Sequence, residues 1–223
     1  MISQAWPPLR IQPAGTGAVL LDCARDQFSD EYQQLIWAVA KSARAIPGVR
    51  ECVPGMNNLM VVFDGLSIHP RDVEMRLVSL WEGVEAADSE HQVWTIPVRY
   101  GGQAGEDLRM LAEHAGLPIE TFVERHAGVT YTVAALGAMA GYPYLSGLDP
   151  ALSCPRRISP RLHVPTGSVI IGGAQAGIMP TSAPSGWHIL GVTDFVLFDV
   201  TATPPARLSP GDTITFSIAS LEI

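Results

Sequence analysis

Hydrophobic positions along the first part of the chain change period from one segment to the next. Ala18 to Cys23 is a short apolar run that reads as a strand. Phe28, Tyr32, Leu35, Ile36, Val39 and Ala43 then return at helical spacing, with Ser29 placed to cap the helix and Pro47-Gly48 to end it. Val49 to Val53 and Leu59 to Phe63 are strand-like. They flank Pro54-Gly55-Met56-Asn57-Asn58, a turn-forming segment that predicts a hairpin. A second helix is predicted from about Arg71, with Val73, Leu77, Leu80, Trp81 and Val84 on one face. The order β-α-β-β-α needs only a closing strand to become a ferredoxin-like βαββαβ unit, an α+β domain.

Glu85-Ala86-Ala87-Asp88-Ser89-Glu90 is short, acidic and polar, and is read as a linker. It divides a small α/β domain, residues 1–88, from a second domain, residues 89–223. Val93 to Val98 alternates as a strand, and Asp107 to Ala115 and Pro118 to His126 read as two short helices. From Val129 onward helical periodicity is absent and Gly and Pro are dense. Short β-rich runs recur at Tyr131–Leu136, Ser168–Ile171, Trp187–Leu190, Phe195–Phe198 and Thr213–Ile218, which predicts a mainly β barrel.

Composition narrows the functions available. Hydrophobic residues make up 47% and charged residues 16% of 223, a globular balance. A net charge of −8 with no Lys/Arg run disfavours nucleic acid and anionic membrane surfaces as partners. The N-terminus lacks the basic start and apolar core of an export signal, and no apolar run is long enough to span a bilayer, so the expected location is the cytoplasm. Cys23, Cys52 and Cys154 are far apart and form no C-x-x-C pair, and no histidines pair at metal-ligand spacing. Buried free thiols and no metal are expected.

Candidate chemistry is confined to the second domain. Gly172-Gly173-Ala174-Gln175-Ala176-Gly177 is either a plain β-turn or a backbone cradle for an anion, and it matches neither a Walker loop nor a dinucleotide fingerprint. Pro155-Arg156-Arg157-Ile158-Ser159-Pro160-Arg161 gathers three of the 14 cationic residues. Guanidinium forks there suit carboxylate or phosphate oxygens, or else ion pairs with acidic groups of the chain itself. Gly141-Tyr142-Pro143-Tyr144-Leu145 either walls a pocket or is simply packed. Ser182 and Ser185 lack a G-x-S-x-G context, and among six histidines His126 stands out only by preceding a long barrel strand.

Read together, these segments resemble a known family. Gly137 to Leu145, Pro155-Arg156-Arg157 with Pro160-Arg161, Val164-Pro165-Thr166-Gly167-Ser168-Val169 with Gly172-Gly173, Pro184-Ser185-Gly186-Trp187, and Leu208-Ser209-Pro210-Gly211-Asp212 are similar in order and spacing to the family of allophanate hydrolase subunit 1 and the 5-oxoprolinase B subunit (PxpB, KipI). Pro54 to Asn58, Ile96-Pro97-Val98 with Tyr100-Gly101-Gly102, and His126 with Tyr131 extend the likeness upstream. The resemblance implies a cyclophilin-like barrel and a C-type (KipA or PxpC-like) partner protein. With a PxpA-like protein, the set would convert 5-oxoproline to glutamate using ATP.

It implies His126, Arg156 and Arg161 as catalytic residues, and Tyr144, Arg157, Gly172, Gly173 and Gln175 as substrate-binding residues. Two other activities occur under the same likeness: a KipI-type module that inhibits a sensor histidine kinase, and a component of an allophanate or urea-derivative hydrolase. The sequence departs from the family pattern at Ala138, Ala140 and Tyr142, at Ala174, Ala176 and Met179, and at Ser185.

Overall fold

A computed structural model describes residues 9–24, 27–84 and 91–223. The chain divides into two compact units, Met1–Ser89 and Glu90–Ile223. The acidic segment read as a linker, with the boundary near 88, lies outside the described residues.

The first unit runs β1 (Arg10–Pro13), β2 (Ala18–Asp22), α1 (Asp30–Ala43), β3 (Val49–Pro54), β4 (Asn58–Phe63) and α2 (Pro70–Gly83). Its four strands form an antiparallel sheet in the order β1-β2-β4-β3. Alternation puts Val19, Leu21, Leu59, Val61 and Phe63 on one face. Ile36, Val39 and Ala43 of α1 and Val73, Leu77 and Trp81 of α2 bury against it. Ser29 caps α1 as expected, its Oγ accepting from the Tyr32 amide at 3.3 Å. The β3–β4 turn is fastened to the same helix. The Asn57 amide donates to Gln33 Oε1 at 2.7 Å, Gln33 Nε2 donates to the Gly55 carbonyl at 2.9 Å, and Asn57 Oδ1 accepts from the Ser29 amide at 2.8 Å.

One expectation needs correction. The described elements follow the order β-β-α-β-β-α, and the fourth strand comes before the first helix rather than after the second. β1 is four residues long, mostly exposed and on the sheet edge, so it carries little hydrophobic pattern to find.

The second unit contains β5 (Val93–Gly101), α3 (Leu108–Ala115), α4 (Ile119–Ala127), β6 (Thr130–Leu136), β7 (Pro143–Ser146), β8 (Arg161–Val164), β9 (Ser168–Gly172), β10 (Gln175–Ile178), β11 (Ala183–Ser185), β12 (His188–Val192) and β13 (Thr213–Glu222). Seven strands close into a barrel, β10-β7-β6-β13-β5-β12-β9, with β13 and β5 parallel; β8 and β11 form a separate two-stranded ribbon. Ile96, Val98, Tyr131, Val133, Val169, Ile171, Ile178, Leu190 and Phe216 share its core with Leu111 and Phe122 of the two helices.

Phe195–Phe198, expected as a strand, makes only an isolated bridge from Phe198 to Ala206. Phe195 instead packs edge-on against Trp94, with centroids 5.5 Å apart, under the Arg207 guanidinium. No helix among the described residues is long and apolar enough to cross a membrane.

Candidate functional site

Barrel strands β9 and β12 also carry apolar side chains on their opposite face, where residues of the ribbon and the flanking loops join them. Ile170, Met179, Ile189, Val164, Tyr142 and Trp187 form this cluster, with Tyr144 and Met139 packed against it. Two missing side chains make room for its rings. A Cβ on Gly172 would stand 2.7 Å from the Trp187 indole, and one on Gly177 would stand 2.5 Å from the Tyr142 hydroxyl. Ring centroids lie 4.9 Å apart for Tyr142 and Tyr144, 6.1 Å for Tyr142 and Trp187, and 6.2 Å for Tyr144 and Trp187. These are edge-to-face arrangements. The Arg156 guanidinium covers the outer side, its carbon 5.4 Å from the Trp187 ring centroid, a cation–π contact on an exposed side chain.

The neighbouring arginines face elsewhere. Arg161 grips Asp107 with both nitrogens of its fork, Nη1 to Oδ2 and Nη2 to Oδ1, each at 2.8 Å. Its Nε reaches Glu106 Oε1 at 2.9 Å. Arg157 Nη1 approaches Asp107 Oδ1 at 3.4 Å. Asp107 is 5% exposed and also accepts from the Ile189 amide at 2.7 Å. Burial pushes its pKa up, but the Arg161 hydrogen bonds, the Ile189 amide and the nearby cationic charge outweigh that and hold it below the ordinary value. The His188 ring is buried beside it, with Nε2 donating to the Pro155 carbonyl at 2.9 Å and Nδ1 4.0 Å from Asp107 Oδ2. Cys154 Sγ lies 3.7 Å from His188 Nε2. Burial raises the thiol's pKa, which keeps it protonated and unreactive. All three cysteines are buried and none is in a disulfide.

His126 lies in the barrel core, 0% exposed, in the last turn of α4. Its Nδ1 pairs with the Tyr100 hydroxyl at 2.9 Å, its carbonyl accepts from the Tyr131 hydroxyl at 2.9 Å, and its ring stacks on Phe216 at 4.9 Å. Nε2 is buried with no hydrogen-bond partner among the described residues. Burial drops the imidazole pKa to about 3, so the ring is neutral at physiological pH.

The structure therefore divides the residues marked in the sequence. Tyr144, Arg156 and Gly172 meet around Trp187. Arg157 and Arg161 are tied to Asp107. Gly173 occupies the β9–β10 turn with φ +63° and donates its amide to the Cys154 carbonyl at 2.7 Å, while Gln175 opens β10 opposite Gly172. His126 belongs to a different, fully enclosed cluster. Trp187, Asp107 and His188 carry no site role in the sequence alone. Trp187 has a signal in the Gly-Trp pair of its motif. Asp107 has none, since a carboxylate before a helix reads as a cap, whereas its partner Arg161 is 54 residues away.

Residues 9–208 match the family described as the carboxyltransferase domain, subdomain C and D. That match, together with the closed barrel, sets the class of the protein. The 5-oxoprolinase B subunit of Escherichia coli O157:H7 is 43% identical over 184 residues, covering 82% of this chain and 84% of that protein. The Haemophilus influenzae protein of the same name is 40% identical over 195 residues, with coverages of 87% and 91%. The chain belongs to the carboxyltransferase C and D family, in the branch of the 5-oxoprolinase B subunits.

Among solved structures, TTHA0988 superposes with a TM-score of 0.78 at 33% identity over 91% of this chain. The chain spans 40% of the length of that protein. The K. lactis urea amidolyase superposes with a TM-score of 0.82 at 18% identity, over 96% of this chain and 15% of that one, a likeness of fold alone.

Proposed function

We propose that this chain is the B subunit of an ATP-dependent 5-oxoprolinase, acting with C-type and A-type subunits to open 5-oxoproline to glutamate. The observation that carries this is 43% identity to a 5-oxoprolinase B subunit across most of both chains. The same relatives favour the enzyme over a kinase-inhibiting module. We read the barrel as cyclophilin-like, and the protein as cytoplasmic.

Hydrolysing an unstrained lactam needs an activated carbonyl. Transfer of the ATP γ-phosphoryl group to the amide oxygen would make the carbon electrophilic; water adding there lets the C–N bond break with the amine as leaving group, and a second water hydrolyses the resulting acyl phosphate. The products are glutamate, ADP and phosphate. The residues of this chain do not fit a triphosphate site. The Gly173 amide is spent on Cys154, the barrel unit contains no lysine, and two of the three clustered arginines are held by carboxylates. We therefore assign ATP to a partner subunit and derive no phosphoryl step from this chain.

What this chain offers is an aromatic face with one cation on it. Arg156 suits the substrate carboxylate or the oxygen that gains charge, with the buried Trp187 as its backing, and the half-buried Tyr144 suits the flat ring. Gly172 gives the indole its seat, and Gln175 lies at the same end of the strands. Arg157 and Arg161 act beneath the face through Asp107, and His126 stands outside the site.

The test is co-expression with C-type and A-type subunits, followed by ADP release with and without 5-oxoproline. ADP and glutamate formed in equal amounts, only when all subunits are present, is the expected outcome. A stable complex whose ADP release ignores 5-oxoproline would refute the reading.

A further inference from the structure

Burying a carboxylate is costly unless its lone pairs are used. Those of Asp107 are fully engaged, by Arg161 twice, by Arg157 and by the Ile189 amide, and its own amide donates to the Ile189 carbonyl at 3.1 Å. The Arg157 amide donates to the Gly186 carbonyl at 2.8 Å. One side chain thus joins the start of α3, the 155–161 segment and β12. Arg156 is the residue next to Arg157 in the second of these, and Trp187 lies between Gly186, which the Arg157 amide holds, and the first residue of β12. Charge accounting points the same way. Arg157 and Arg161 are balanced by Asp107 and Glu106, whereas no carboxylate among the described residues pairs with Arg156.

We propose that Asp107 is a positioning residue: by fixing Arg157 and Arg161 beneath the aromatic face, it holds Arg156 across Trp187 and directs the one unbalanced charge of the cluster toward an anionic group of the substrate. The oxoprolinase reading enters only in what Arg156 meets. The placement of the guanidinium is a property of the isolated chain, and it is tested there first.

The chain has five tryptophans, so nitrogen-15 labelling of the indoles gives a small set of cross-peaks, and Trp187→Phe identifies the relevant one. Arg156→Ala moves that peak by removing the cation over the ring. Asp107→Asn is expected to move it in the same direction. Arg161→Lys keeps the charge but loses the two-pronged grip, so it is expected to move the peak part of the way, and it serves if Asp107→Asn does not fold. A Trp187 peak left at its wild-type position in a folded Asp107→Asn or Arg161→Lys protein overturns the proposal, whatever the enzyme does.

In the assembled complex, Asp107→Asn is expected to raise KM for 5-oxoproline about tenfold with kcat within about twofold. In an Arg156→Ala background it is expected to raise KM no further. Loss of active protein at unchanged KM, or a KM effect that multiplies with that of Arg156→Ala, overturns the positioning role. A wild-type complex without turnover sinks the oxoprolinase reading instead, and the indole spectra then decide this one.

Discussion

Acid should weaken this protein through His126 before it reaches the carboxylates. In the unfolded chain the imidazole takes a proton near its ordinary pKa of 6.5, whereas in the barrel core burial lowers that value to about 3. The unfolded state therefore binds the extra proton throughout the interval between the two. The stabilising contribution is complete above pH 6.5 and is lost progressively as pH falls toward 3. The slope is about 1.4 kcal/mol per pH unit, so two units of acidification, to pH 4.5, cost about 2.7 kcal/mol. Asp107 does not blur this window. Its folded pKa is lowered, so its contribution is lost only as pH falls through and below the ordinary carboxylate range.

The assay is urea unfolding at pH 7 and pH 4.5 on the wild type and on His126→Gln, which keeps a polar group near Tyr100 but does not titrate. The wild type should lose roughly 2–3 kcal/mol more than the variant over that interval. Equal losses would refute the account of a buried neutral imidazole. The same variant, assayed in the complex, should turn over normally per folded molecule. A folded but inactive His126→Gln would return the ring to the catalytic list.

Other outcomes follow from the site. Arg156→Ala should lower kcat/KM by about ten- to one hundred-fold, the worth of a charge-assisted contact, with no change in Tm because the side chain is exposed. Arg161→Ala should do the reverse first, lowering stability by about 3 kcal/mol or more, because it strands a buried carboxylate; calorimetry separates the two variants. Gly172→Ala should cost about 1–3 kcal/mol and change Trp187 fluorescence, since a methyl group at 2.7 Å cannot coexist with the indole in place. A fragment starting at residue 90 should be soluble and mainly β by circular dichroism, because the barrel closes with strands from that unit alone. A spectrum dominated by helix would contradict that closure.

The parts of this fold that are legible in the sequence are those where a local pattern and a buried face coincide. The α1 stripe, its Ser29 cap and the Pro54–Asn58 turn are all readable because propensity, spacing and packing agree there. β1 is not, since a four-residue edge strand that buries only Ile11, and that in part, shows no alternation. Phe195–Phe198 has the right composition for a strand but is claimed by Trp94 and Arg207, partners outside the segment.

The arginine cluster shows the same limit at the level of chemistry. Arg156, Arg157 and Arg161 sit close enough in sequence to read as one anion site, yet the backbone sends Arg156 to the aromatic face and the other two to Asp107. Which arginine stays free to meet a ligand is decided by a carboxylate far upstream, whose identity as a partner exists only once β12 and α3 are side by side. Motif residues that fall on the same segment therefore divide into a binding set and a supporting set. The supporting set is visible only by following each charge to its counter-charge.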